Sequence, residues 1–267
     1  MLSALLLLPG CGRELERAGT EVLEQTFQVD PTARLGISNL KGSISIRGAD
    51  TTEVKLRATK TTAKAAQLKD INISVAAEVG SVSISTSILP QKRSPVGGTG
   101  LVDYVLVVPR TINIVRLELE EGKVLIEGME GQDVRANVVD GQLTLRSCCS
   151  DIRVAIANGD LDLSYEDCAS PRSFVADAQL THGDARIVLP RAASVHVRAA
   201  TAAGTLANDF ADMVEINGRP TQKIDMLVGP NARSQLNVRV TTGDIRIAAV
   251  EPVLAAGPPD TASTASD

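Results

Sequence analysis

The sequence predicts an all-β chain, a single-chain parallel β-helix or solenoid with coils of about 20 residues, and three observations predict it. The first is a repeated phrase, a glycine followed by alternating residues: GSISI at Gly42, GSVSI at Gly80, GKVLI at Gly122, GQLTL at Gly141, GDLDL at Gly159, GDARI at Gly183, GTL at Gly204 and GDIRI at Gly243. The intervals are one or two multiples of roughly 20 residues, and a fixed interval reports architecture before chemistry. The second is an apolar/polar alternation before each glycine. The third is the kind of apolar residue. In 267 residues there are no Trp, two Tyr and three Phe, so a core must be built from Val, Ile, Leu and Ala, which suit a thin, layered β interior.

Each repeat reads as two strands meeting at the glycine. Ile152, Val154 and Ile156 lead into Asn158-Gly159 and on to Leu161 and Leu163; Val134, Ala136 and Val138 lead into Asp140-Gly141, Leu143 and Leu145; Leu236, Val238 and Val240 lead into Thr242-Gly243, Ile245 and Ile247. Two architectures fit. In a parallel stack, the glycine turns a left-handed corner and equivalent residues lie about 4.8 Å apart. In an antiparallel meander the same dipeptides are hairpin turns, and equivalent residues lie twice as far apart.

The cysteines favour the stack. Cys168 follows Cys148 by 20 residues and Cys149 by 19, one period in either case, and a disulfide requires Cα atoms within about 7 Å. Apart from Cys11 these are the only three cysteines, so at least one thiol is left over unless chains pair. Positions three after the glycine point outward, and there Thr144, Asp162 and Arg186 follow one another, which predicts an ion pair between Asp162 and Arg186 on adjacent rungs. The corner glycines of this reading are Gly42, Gly122, Gly141, Gly159, Gly183 and Gly243.

Elsewhere the pattern changes. Residues 12–24, GRELERAGTEVLE, are charged and read as a short helix or tether, with the repeat domain spanning residues 25–250. TTAKAAQLKD, near 61–70, is rich in helix formers and predicts one short helical insertion. LPQKRSPVGGTG, 89–100, reads as a polar loop; no helix follows its glycines, so it is no phosphate cradle. The Pro-, Ala-, Ser- and Thr-rich tail over 251–267 reads as disordered.

For catalysis or metal binding the chain offers little convergence. Asp160, Asp162, Asp184 and Asp244 recur just after the glycines, and β-helical polysaccharide lyases and hydrolases do carry such carboxylate ladders. Here each stands where a repeat needs a polar residue beside a corner. The nonapeptide of calcium-binding β-rolls is missing. His182 shares the pre-glycine corner with Asp140, Asn158 and Thr242, and neither it nor His196 has a second ligand at metal spacing. The expectation is no enzyme, no catalytic residue, no metal and no cofactor. A net charge of -5 and the scarcity of aromatic rings argue against a nucleic-acid partner.

Two resemblances add to this reading. MLSALLLLPGC, residues 1–11, resembles a bacterial lipoprotein signal: the apolar run is too short to span a bilayer, and a small residue precedes Cys11. The resemblance implies a mature chain lipidated at Cys11 and held to a membrane outside the cytosol, where disulfides persist. With Gly12 in place of a retaining aspartate, the resemblance implies lipid anchoring in the cell envelope, at the outer membrane or the periplasmic face. From about Leu35 to Ile247 the chain resembles the bacterial putative-adhesin family of β-strand repeat domains. The matching phrases are ISNLKGSISIRG, VDYVLVVPRTINIVRLELEEGKVLIEG, NVVDGQLTL, IANGDLDLS, THGDARIVLP and VTTGDIRIA. That family implies a β-helical envelope domain with no established catalytic residues. The functional expectation is therefore a non-enzymatic, lipid-anchored envelope protein, an adhesin or binding scaffold for a protein or glycan. The alternatives are a periplasmic envelope-stress or signalling accessory and, behind it, a carbohydrate-active β-helix enzyme.

Overall fold

The computed structural model describes residues 18–88, 100–166, 173–210, 222–230 and 232–250. The signal expected over 1–11 with Cys11, most of the 89–100 loop, Cys168 and the tail expected over 251–267 lie outside them. The described residues form sixteen strands of one mixed sheet: β1 (Gly19–Gln28), β2 (Arg34–Ala49), β3 (Glu53–Thr62), β4 (Ile71–Glu78), β5 (Ser81–Ile88), β6 (Leu101–Pro109), β7 (Asn113–Glu127), β8 (Asp133–Arg146), β9 (Asp151–Ser164), β10 (Val175–His182), β11 (Ala185–Pro190), β12 (Val195–Ala203), β13 (Leu206–Asn208), β14 (Lys223–Val228), β15 (Ser234–Thr242) and β16 (Ile245–Val250). The helical insertion is a single 3-10 helix, Ala65–Asp70, shorter than the stretch expected near 61–70 because Thr61 and Thr62 still pair in β3.

The repeat is a bent rung. β2, β7, β8 and β9 each run through their glycine as one strand, whereas later rungs break there into the pairs β10/β11, β12/β13 and β15/β16. Neighbouring rungs are parallel and in register, with Gly42 opposite Gly122, Gly122 opposite Gly141 and Gly141 opposite Gly159. The corner glycines all have positive φ, from 127° at Gly42 to 154° at Gly204. Sterics add a second demand. A Cβ on Gly159 would run into the carbonyl oxygen of Gly141, and one on Gly183 into that of Gly159. Only glycine satisfies both the dihedral and the rung spacing.

Residues two and four after the glycine point inward, as the alternation requires. Ile44, Val124, Leu143, Leu161, Ala185, Ile245 and Leu206 form one column across the stack. Opposite it stands Ile37, Leu117, Ala136, Val154, Ala178, Val238 and Ala199. All fourteen are buried, and burying each Val, Leu or Ile side chain contributes about 1.5–3 kcal/mol.

The rungs do not stack in chain order. At one end, β15 lies between β10 and β12, and β16 between β11 and β13, so the last rung is inserted beneath the one before it. At the other end β2 lies inside: its first half pairs with β5, its second half with β6, and its other edge with β7. The corner stack is therefore Gly42, Gly122, Gly141, Gly159, Gly183, Gly243, Gly204. Gly80 is not a corner. It occupies the turn between antiparallel β4 and β5, where an added Cβ meets nothing within 4 Å.

Purely parallel stacking is also confined to the middle. Antiparallel strands close both ends: β3 on β6, β1 on β3, β4 on β5 and β14 on β12. An open parallel rung presents unpaired N–H and C=O groups, and such edges need covering. This explains β1, which replaces the tether expected over 12–24 from Gly19 onward. It is drawn into the cap by full ten-residue pairing with β3.

Because the 89–100 insertion separates β5 from β6, the corner of β2 has no complete rung above it, and side chains fill in. Asn39 Nδ2 donates to Val102 O at 2.8 Å, and Asp103 Oδ1 accepts from Ser43 N–H at 2.8 Å. Fully buried Tyr104 bridges the two halves, its hydroxyl 2.7 Å from Thr86 Oγ1.

Candidate functional site

The two outward faces divide the polar residues differently. Beyond the corner, the aspartates are occupied by the backbone. Asp160 Oδ1 accepts the N–H of Asp184 at 3.2 Å, Asp184 Oδ1 accepts that of Asp244 at 2.8 Å, and Asp244 Oδ1 accepts both the N–H and the hydroxyl of Thr205 at 2.7 and 2.9 Å. Each carboxylate thus ties one rung to the next beside the corner. The backbone N–H and then the hydroxyl of Thr205 hold the Asp244 carboxyl below its usual range. The aspartate is there to bind an amide as well as to face water, a role the spacing alone did not disclose. Asp162 stands outside the ladder and pairs with Arg186 at 3.8 Å, on the adjacent rung. A groove of about 460 Å³ runs along this face, lined by the ladder carboxylates with Arg186 and Arg246.

The remaining sequence candidates separate. His182 stands in the column Asp140, Asn158, His182, Thr242 at the corner. His196 lies elsewhere, its Nε2 2.5 Å from Asp225 Oδ1, and Arg198 Nε reaches the other oxygen of that carboxylate at 3.4 Å. These partners, the His196 hydrogen bond first, lower the Asp225 pKa. Among the described residues no three His, Cys, Asp or Glu side chains are grouped as metal ligands.

Of the disulfide candidates, Cys148 is a free thiol. It is buried in the turn after β8, within 3.5 Å of the carbonyl oxygens of Ile126 and Arg146, and burial pushes its pKa up to about 12. Cys149 is buried beside it, and Cys168 lies outside the described residues. Beside Cys148, the buried rings of Tyr165 and Phe174 stack at 4.9 Å.

The face before the corner carries a constellation that the sequence reading passed over. Positions six before the corner glycine form a row across the strands: Arg135, Arg153, Asp177, Asn237, Arg198, then Asp225 of β14. Four before the glycine the row is Asn137, Ala155, Gln179, Arg239, Ala200, then Lys223. Most of these charges are answered. Arg135 pairs with Asp133 at 2.5 Å, and Arg116 with Glu118 at 2.7 Å, a hydrogen bond that lowers the Glu118 pKa. Exposed Arg153 and Arg239 have no ion pair among the described residues. An open groove of about 570 Å³ lies along these rows, lined by four arginines, Arg116, Arg135, Arg153 and Arg239, against two carboxylates, Glu118 and Asp177. The signal was legible: the two offsets alternate with the buried columns, but an outward arginine recurs only when residues are aligned on the glycine.

The fold has a solved counterpart. A protein described as a putative cell adhesion protein from Clostridium sporogenes superposes with a TM-score of 0.53 at 12% identity, covering 86% of this chain and all of that one. A putative adhesin from Bacteroides fragilis aligns over 85% of this chain and 97% of its own at 11% identity, with a TM-score of 0.37. No curated protein matches. The rung register, the glycine column and the strand caps belong to residues 19–250, and the Toastrack DUF4097 family model matches residues 14–248; the chain belongs to that family.

Proposed function

We propose that this chain is a non-enzymatic binding scaffold of the bacterial cell envelope, an adhesin-type protein whose body is a short parallel β-helix anchored through a lipid on Cys11. The observation that carries the reading is the pair of straight outward rows before the corner. In-register rungs present Arg, Asn, Gln and Asp side chains at fixed spacing along an open groove, and a backbone held rigid by pairing on both edges has little entropy left to lose on binding. The carboxylates that could have served an acid/base pair are instead engaged with backbone amides or arginine. The adhesion name of the Clostridium sporogenes protein agrees in kind. On this reading Cys149 pairs with Cys168 across one rung, and the partner is an envelope or host protein or glycan.

Proteinase treatment of intact cells tests this, comparing the native protein with Cys11→Ser. Digestion of the native form, with Cys11→Ser released or protected, is the expected result. Protection until the envelope is opened would reject surface adhesion in favour of the periplasmic accessory role.

A further inference from the structure

We propose that the groove bordered by Arg135, Arg153 and Arg239 binds an extended acidic polysaccharide whose sugars carry carboxylate groups, a proposal that rests on the binding-scaffold reading above. The chain as a whole carries a net charge of -5, yet this face holds two exposed guanidinium groups with no ion pair among the described residues. Arg153 and Arg239 flank Ala155 and Gln179 on β9, β10 and β15. A guanidinium is a planar fork that matches a carboxylate with two parallel hydrogen bonds.

The spacing suits a chain rather than a single anion. Arg135 and Arg153 lie on adjacent rungs, about 4.8 Å apart along the stack, and Arg239 lies two rungs beyond Arg153, roughly 10 Å further. The groove follows the same direction across the strands. The carboxamide of Asn137 stands beside Arg135 on β8 and that of Gln179 between Arg153 and Arg239 on β10, each supplying two N–H donors and an acceptor, while the Asp177 carboxylate next to Gln179 accepts from Asn237 Nδ2 at 2.8 Å. Such groups match sugar hydroxyls, and a partner offering charge alone would leave them unused. No Trp, Tyr or Phe lines the groove, so it offers no platform for stacking nucleic-acid bases.

The test titrates the mature full-length protein with polygalacturonate, neutral dextran and polyphosphate, each at low and at physiological salt. The expected result is binding to polygalacturonate that weakens with salt, with little binding to dextran and weaker binding to polyphosphate. Arg153→Gln with Arg239→Gln should lose at least tenfold in affinity while keeping the wild-type melting temperature, and Arg57→Gln on β3 should bind as wild type. Three results would overturn the proposal: no polygalacturonate binding, polyphosphate binding as tight as polygalacturonate, or an unaffected double variant. Surface exposure in intact cells without uronate binding removes this proposal and leaves the scaffold reading. Protection in intact cells removes surface adhesion, whatever the polysaccharide result.

Discussion

Asp184 and Asp244 lie on neighbouring rungs although 60 residues separate them in the chain, and the side chain of the first accepts the backbone N–H of the second at 2.8 Å. The bond explains why aspartate recurs beside the corner. It also gives a substitution with an informative control. Asp184→Ala leaves that amide without its side-chain acceptor and should destabilise by about 1 kcal/mol, whereas Asp184→Asn keeps Oδ1 and should lie close to wild type in urea unfolding. Asp162→Ala removes only an exposed 3.8 Å ion pair and should cost a few tenths of a kcal/mol. Equal effects from all three would remove the ladder as the reason for these aspartates.

The glycine column makes a stronger claim. Gly159→Ala places a Cβ against the Gly141 carbonyl at φ 132°, combining backbone strain with overpacking, and should destabilise by about 3 kcal/mol or more. Gly80→Ala, in open space, should be near neutral. Thermal unfolding and soluble yield of the two variants decide the matter, and similar melting temperatures would count against the stacked corner.

The inserted last rung predicts an unusual distribution of hydrogen exchange. If β15 and β16 were the outer end of a stack, their amides would exchange early by fraying. Because β15 is paired on both edges by β10 and β12, the amides of Leu236, Val238 and Val240 should be protected as strongly as those of Ile152, Val154 and Ile156 in β9. Faster exchange in β15 than in β14, the antiparallel cap, would contradict the insertion.

Acid should loosen the structure in a defined window. Asp225, Asp244 and Glu118 all have lowered pKa values in the folded chain, so their ionised forms favour folding. That contribution is complete above the unfolded carboxylate range, about pH 4, and is lost as pH falls through the lower folded values. The melting temperature should therefore be flat from about pH 7 to pH 5 and decline below about pH 4. Asp225→Asn should shallow the decline, and an identical profile for this variant would remove Asp225 from the account.

The Cys148 thiol, with its pKa at about 12 and its side chain buried, should resist alkylation in the native protein and react on unfolding. Peptide mapping after iodoacetamide treatment reads this out. Native labelling at the rate of an exposed thiol would show that the turn after β8 opens.

What the sequence determined by itself is the rung. A period of two along each strand settles which residues face inward, and a glycine at a constant offset marks the corner; both are local properties, so Ile152 to Leu163 could be placed without coordinates. The Asp162–Arg186 pair and the corner position of His182 followed from the same alignment. The order of the rungs was decided only in three dimensions, because parallel edges with the same register and the same aliphatic columns are interchangeable to a local reading. Gly42 therefore meets Gly122 rather than its nearest repeat, and Gly243 lies between Gly183 and Gly204. The caps were hidden for a related reason. β1 and β14 are strands because an exposed stack edge recruits them through backbone hydrogen bonds, and backbone groups carry no sequence signature. The arginine groove is an intermediate case: its residues sit at constant offsets in the repeat, but only the inserted β15 brings Arg239 beside Gln179 and onto the same face as Arg153.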